Sequence, residues 1–196
     1  MFKKILLNIY YNSTDFKRKL FNFTIPNFFC KNLIEKGSSI YLQKTYITGN
    51  GKVEIGDKCS FGYNLGGFHR GGSIEFQSRY SNSFIKIGDN VATNNNIFIC
   101  AANRVEIGDD TLIGQNVTFI DSEAHGIHPS KRRELGEIGE IIIGKNVWIG
   151  NNVTILKNTY IGNNSIIAAG AVVKGSFGEN VIIGGIPARI IKTIEI

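Results

Sequence analysis

The stretch Ile143-Gly144-Lys145-Asn146-Val147-Trp148-Ile149-Gly150-Asn151-Asn152-Val153-Thr154-Ile155 sets the architecture of this chain. Its apolar beat runs on through Ile161, Ile167 and Val173, so a branched residue recurs every six positions without a slip. Four positions after each member sits a small or β-branched residue: Val147, Val153, Thr159, Ser165, Ala171. A period of six is too even for a helix face and too long for a simple two-residue alternation. It predicts a hexapeptide β-helix, in which three short strands make one turn of a triangular coil and the inward residues stack into a continuous core. The glycines at 144, 150 and 162 are expected where the chain turns tightly.

Working outward, the same frame is legible at Val53-Glu54-Ile55-Gly56-Asp57, at Ile87-Gly88-Asp89 and at Ile107-Gly108 with Ile113-Gly114. It is lost at Gly66–Gly72, within an insertion placed at 66–84, and broken again over 121–140. Phe119 and Ile143 are 24 residues apart, four hexapeptides, so the coil can resume in phase with a loop expelled from one corner. Such loops cost little closure entropy and commonly carry function. Residues 2 to about 24 mix Phe2, Ile5, Leu6, Ile9, Phe16, Leu20 and Phe21 with lysines and arginines at helical spacing. They predict an amphipathic cap over the open end of the coil, or a segment resting on an anionic membrane. The expected organisation is a cap over 1–38, a β-helix over 39–186 and a tail over 187–196.

Composition limits the function. At 196 residues and 42% apolar, the chain fits one ordered domain. The net charge of +6 comes mainly from two clusters, near the N-terminus and at Lys131-Arg132-Arg133. No aromatic-basic platform accompanies them, which argues against nucleic acid. Cys30, Cys59 and Cys100 match neither a disulfide framework nor a zinc spacing, so they are expected as buried residues of a cytoplasmic protein. No secretory leader or membrane-spanning run is read in the sequence. Of the three histidines, His69 lies in the glycine-rich insertion, while His125 and His128 lie in the expelled loop beside Asp121 and Glu123. A histidine there can take a proton from a hydroxyl and return it, and either acid could hold its ring. On this spacing alone, ordinary solvated loop histidines fit as well.

Asn146-Val-Trp148-Ile-Gly-Asn151, Ile161-Gly-Asn-Asn-Ser-Ile-Ile-Ala-Ala-Gly170 and Gly185-Ile-Pro187-Ala-Arg189 fall in order over residues 85–194. Together they resemble the hexapeptide-repeat acyltransferases, specifically the galactoside and maltose O-acetyltransferase group and its polysaccharide-modifying relatives. The resemblance implies a left-handed coil, an exception to the usual crossover hand. It further implies a homotrimer, acetyl-coenzyme A in the groove between neighbouring coils, and His125 as catalytic base with His128 as a secondary histidine. By the same resemblance Asn94 is an active-site asparagine. Trp148, Asn151, Ala169, Lys174, Arg189 and Lys192 then follow the cofactor, and no metal is implied. Read without it, Ala169 is a small turn or core residue, Trp148 an interface plug, and Lys174 and Arg189 solvated charges. Ala171, the Lys174-Gly175 pair and Glu140 depart from the family pattern.

The implied activity is transfer of acetyl from acetyl-coenzyme A to a sugar hydroxyl of surface polysaccharide, with a sugar or lipid-linked oligosaccharide as acceptor. Location would be cytoplasmic, at the inner membrane face if residues 1–24 touch lipid. The alternatives are an N-acetyltransferase acting on an amino sugar, an antibiotic acetyltransferase, a silent β-helix scaffold and, more remotely, a zinc carbonic anhydrase.

Overall fold

The computed structural model describes residues 14–196. Phe2, Ile5, Leu6 and Ile9, part of the expected amphipathic cap, lie outside them. From Leu33 onward the chain winds as a coil of parallel strands with three faces. The first face carries Leu33–Lys36, Lys52–Ile55, Phe84–Ile87, Arg104–Ile107 and Glu140–Ile143, each paired in parallel with the next. The second carries Ser39–Tyr41, Cys59–Phe61, Ala92–Thr93, Leu112–Ile113, Trp148–Ile149, Ile166–Ile167 and Val181–Gly185. The third carries Thr45–Gly49, Ile74–Ser78, Phe98–Ala101 and Thr118–Ile120. Thr154–Ile161 and Val172–Phe177 run through a corner and serve both the third face and the first.

Register explains the six-residue beat. Ile143 lies beside Ile161, Ile149 beside Ile167 and Ile155 beside Val173. Each residue therefore meets the one three hexapeptides later, on the same face of the next coil. Ile141, Ile143, Val147, Ile149, Val153, Ile155, Thr159, Ile161, Ser165, Ile167, Ala171 and Val173 are all buried. Two inward side chains per hexapeptide, separated alternately by two and four residues, are what a strand plus a corner requires.

The corners divide their work differently from the sequence expectation. At Asn146, Asn152 and Asn164, φ is 53°, 58° and 58°, so asparagine takes the left-handed turn, which its short polar side chain tolerates. Asn146 Nδ2 donates to Asn164 Oδ1 and Asn164 Nδ2 to Asn180 Oδ1, both at 3.0 Å, making a ladder up one corner. A second ladder runs Asn96, Asn116, Asn152. Glycine is needed for space. A Cβ at Gly144 would fall 2.6 Å from Asn163 Oδ1, and one at Gly150 2.6 Å from the Ala169 amide nitrogen.

The coil begins before residue 39, and the tail after it is itself structured. Leu33–Lys36, inside the stretch expected as cap, already pairs with Lys52–Ile55. The tail forms the strand Ala188–Thr193, which folds back antiparallel on Val181–Gly185. Before the coil, residues 14–19 are α-helical and Leu20–Thr24 continue as a π-helical turn. Phe23 from that turn stacks on Tyr41 with ring centroids 4.2 Å apart. Asn27 binds the outermost strand: its Oδ1 accepts the Ile47 N–H at 2.5 Å and its Nδ2 donates to the Thr45 carbonyl at 2.7 Å.

Candidate active site

The expelled loop is more ordered than an irregular excursion. Glu123 N–H donates to the Glu137 carbonyl (2.9 Å), Gly136 N–H to Glu123 (3.1 Å) and Gly126 N–H to Glu134 (3.0 Å), giving a hairpin-like neck. Its tip is the 3₁₀ turn Pro129–Lys131. Lys157, 4% exposed, lies beneath the neck. Its ammonium binds Glu123 at 2.9 Å and makes a second, very short contact with Glu137. Burial alone would lower the Lys157 pKa, but the two carboxylates outweigh it and hold it above its ordinary value. The same pairing holds Glu123 below the usual carboxylate range.

On this neck His125 is exposed, and its Nδ1–H donates to the Arg132 carbonyl at 2.8 Å. A carbonyl only accepts, so the bond fixes the proton on Nδ1 and leaves the Nε2 lone pair available as a base. This differs from the sequence expectation that Asp121 or Glu123 would hold the ring. Asp121 is fully buried, and its oxygens accept backbone N–H groups of Ala102, Asn103 and Arg104 at 2.7–2.8 Å. Burial pushes its pKa up against the pull of those donors. Glu123 is engaged by Lys157. The acids therefore build the loop's root, and the ring is oriented by main chain. His128 has a different part: its Nδ1 accepts the Ser130 N–H (3.3 Å) and lies 2.8 Å from that hydroxyl, capping the 3₁₀ turn.

A groove of about 550 Å³ runs along the second face, lined by Tyr63, Asn94, Leu112, Trp148 and Asn151 among others. Three residues expected at the site thus come together. Trp148 is 56% exposed and Leu112 53%, an apolar strip open to solvent. Asn94 Oδ1 accepts the Asn95 N–H (2.8 Å) and Asn151 Oδ1 the Gln115 N–H (2.9 Å). Both amide nitrogens have no protein partner among the described residues, so two hydrogen-bond donors are free at the groove. His125 is not among the residues lining it.

The remaining expected positions are dispersed. Ala169 is an exposed corner residue packed over Gly150. Arg189 and Lys192 are exposed on the final strand, Arg189 donating to the Ala188 carbonyl at 2.8 Å. Lys174 lies apart from them, close enough to Glu123 to help lower its pKa. Cys59 and Cys100 are buried and burial raises both thiol pKa values, whereas Cys30 is half-buried. A raised pKa makes a thiol a poor nucleophile. Among the described residues, no three His, Cys, Asp or Glu side chains converge as a metal site requires. Lys157 and the Arg132 carbonyl were not anticipated. Neither lies on the hexapeptide beat, and a main-chain acceptor leaves no mark on composition.

Comparison with known proteins bears on this geometry. The bacterial transferase hexapeptide family (six repeats) matches residues 140–175. A putative lipopolysaccharide biosynthesis O-acetyl transferase, WbbJ, of Escherichia coli is 36% identical over 160 residues, 75% of this chain and 74% of that protein. Galactoside O-acetyltransferase of Escherichia coli is 41% identical over 115 residues, and the match spans 56% of its length. A solved galactoside acetyltransferase in complex with coenzyme A superposes with a TM-score of 0.54 at 40% identity, over 57% of this chain and 56% of that one.

Proposed function

The chain belongs to the hexapeptide-repeat acyltransferases, and from that footing we propose that His125 drives transfer of acetyl from acetyl-coenzyme A to a sugar hydroxyl in surface-polysaccharide synthesis. The observation that carries the mechanism is the Nδ1–H bond from an exposed His125 to the Arg132 carbonyl, which leaves Nε2 free. Nε2 accepts the hydroxyl proton as the oxygen attacks the thioester carbonyl. The oxyanion that forms draws on the free amides of Asn94 and Asn151. Collapse of the tetrahedral intermediate expels coenzyme A thiolate, which takes the proton back from the imidazolium. Arg132's carbonyl, facing the opposite ring nitrogen, stabilises that imidazolium while it exists.

In this reading the coil is left-handed and three copies assemble so that the loop of one subunit faces the groove of the next. Support comes from the groove itself, which gathers Asn94, Trp148 and Asn151 but no histidine. Coenzyme A lies there, with Trp148 and Asn151 beside the pantetheine arm and Ala169, Arg189 and Lys192 toward its phosphates. Lys174, beside Glu123, fits the loop's root better than that track. Residues 14–30 close the end of the coil through Phe23, and the exposed Phe16 and Phe21 with Lys17, Arg18 and Lys19 suit contact with an anionic membrane. A cytoplasmic enzyme at that surface would meet lipid-linked acceptors.

The test is His125→Ala assayed by thiol release. Transfer should fall on the order of 10²–10⁴-fold, with coenzyme A binding by calorimetry unchanged. Turnover near that of the parent protein would overturn the assignment. Running the screen with hydroxyl and amine acceptors separates O- from N-transfer.

A further inference from the structure

The insertion between Cys59–Phe61 and Ile74–Ser78 is absent from the hexapeptide beat, yet the coil holds it rigidly. Asn95, fully buried, donates from Nδ2 to the Tyr63 carbonyl at 2.8 Å and the Gly67 carbonyl at 2.9 Å. Gln43, 2% exposed, donates to the Phe68 carbonyl at 2.7 Å and accepts the Asn96 N–H at 2.8 Å. Phe68 itself sits at φ 60°, a conformation a bulky residue adopts only under constraint. The turn that follows presents His69 and Arg70 to a cavity of about 490 Å³, with Lys44, Tyr46, Gly72 and Ser73 on its walls.

The chemistry of this cavity is one-sided. No aspartate or glutamate lines it, and neither Lys44 nor Arg70 is in an ion pair among the described residues. His69 lines the same cavity, with its Nδ1 shut off from solvent and without a hydrogen-bond partner among the described residues. Two unneutralised cations, Lys44 and Arg70, with Ser73 on the same walls suit an oxyanion. Leu42 lines both this cavity and the groove that holds Asn94, Trp148 and Asn151, so one side chain is all that the two walls share.

We propose that the cavity is an acid subsite for the acceptor: it holds the phosphate or carboxylate of an anionic sugar while a hydroxyl of that sugar reaches the groove past Leu42. Resting on the acetyl-transfer reading above, this names the substrate class as acidic or phosphorylated sugars. Binding needs no covalent step, so it can be read without turnover. This chain has three histidines, so ring resonances of His69, His125 and His128 can be followed by nuclear magnetic resonance as inorganic phosphate is added. His69 should shift saturably and the other two should not, and Arg70→Ala and Lys44→Ala should each weaken the response about tenfold or more. No response at His69, or an equal one in both variants, overturns the proposal.

Turnover then separates the sources. A hexose 1-phosphate or a hexuronate should exceed the neutral hexose in kcat/KM, and whichever is favoured identifies phosphate or carboxylate. That preference ratio should collapse in Arg70→Ala, and a ratio equal in parent and variant counts against the subsite. Failure of the parent protein to acetylate any sugar, with the His69 response intact, would instead remove the acetyl-transfer reading.

Discussion

At Gly144 a methyl group has nowhere to go, because the next coil's Asn163 lies 2.6 Å from the Cβ position, with its backbone nitrogen at 2.9 Å. Gly144→Ala must push two coils apart, and overpacking of this kind costs about 1–3 kcal/mol. Two positions on, Asn146→Ala meets a different difficulty: φ of 53° disfavours alanine by about 1–2 kcal/mol. Asn146→Gly relieves that strain and loses only the bond to Asn164. Thermal denaturation should therefore rank Asn146→Gly above Asn146→Ala, with Gly144→Ala also well below the parent. If Gly144→Ala melts with the parent, close stacking is not what selects glycine there. The sequence marked Gly144 as a corner residue and gave Asn146 no such part. It did not say which one bends and which one makes room, because that depends on the coil 18 or 19 residues later.

The loop neck is an element held by charge. With Glu123's folded pKa lowered, its contribution is complete above its ordinary 4.5 and is lost as pH falls through the lower folded value. With the Lys157 pKa raised, the lysine's contribution is complete below 10.5 and is lost only as pH rises through the higher folded value. The clamp is thus intact across the neutral range and opens first on the acid side, below pH 4.5. Lys157→Met should loosen the neck at neutral pH while leaving the coil folded. Trypsin should then cut at the exposed Lys131, Arg132 and Arg133 about tenfold faster, and acetyl transfer should fall with it. Equal cutting rates would show that the backbone pairing alone secures the loop. At the coil's other end, Asn27→Ala leaves the Ile47 N–H and Thr45 carbonyl unpaired on an edge strand. The expected cost is about 1–3 kcal/mol, with faster aggregation seen by light scattering.

For the whole molecule, the separation of His125 from the groove that carries Asn94 and Trp148 makes a sharp test possible. In the proposed trimer each site takes its histidine from one subunit and its groove from the next. His125→Ala and Trp148→Ala chains, each impaired alone, should form competent sites when refolded together. With random mixing in a cyclic trimer about one site in four draws both parts from intact halves, so about a quarter of the parent activity should return. No recovery above the separate variants would place the complete site within one chain.

The sequence by itself determined the coil. A six-residue repeat is a local property, since each hexapeptide buries the same two positions, and Ile143 pairs with Ile161 because both obey one rule. It also singled out His125 as the proposed base, through motifs that resemble a family rather than through its spacing from Asp121 and Glu123. Only the tertiary structure decided what surrounds that histidine. Lys157 meets Glu123 and Glu137, and Asn27 meets Thr45 and Ile47, across loops with no periodic relation between partners. The ring is set by a main-chain carbonyl, which every residue possesses and no sequence pattern distinguishes. Stacking is written in the repeat, whereas the contacts that tune a site depend on where the chain departs from it.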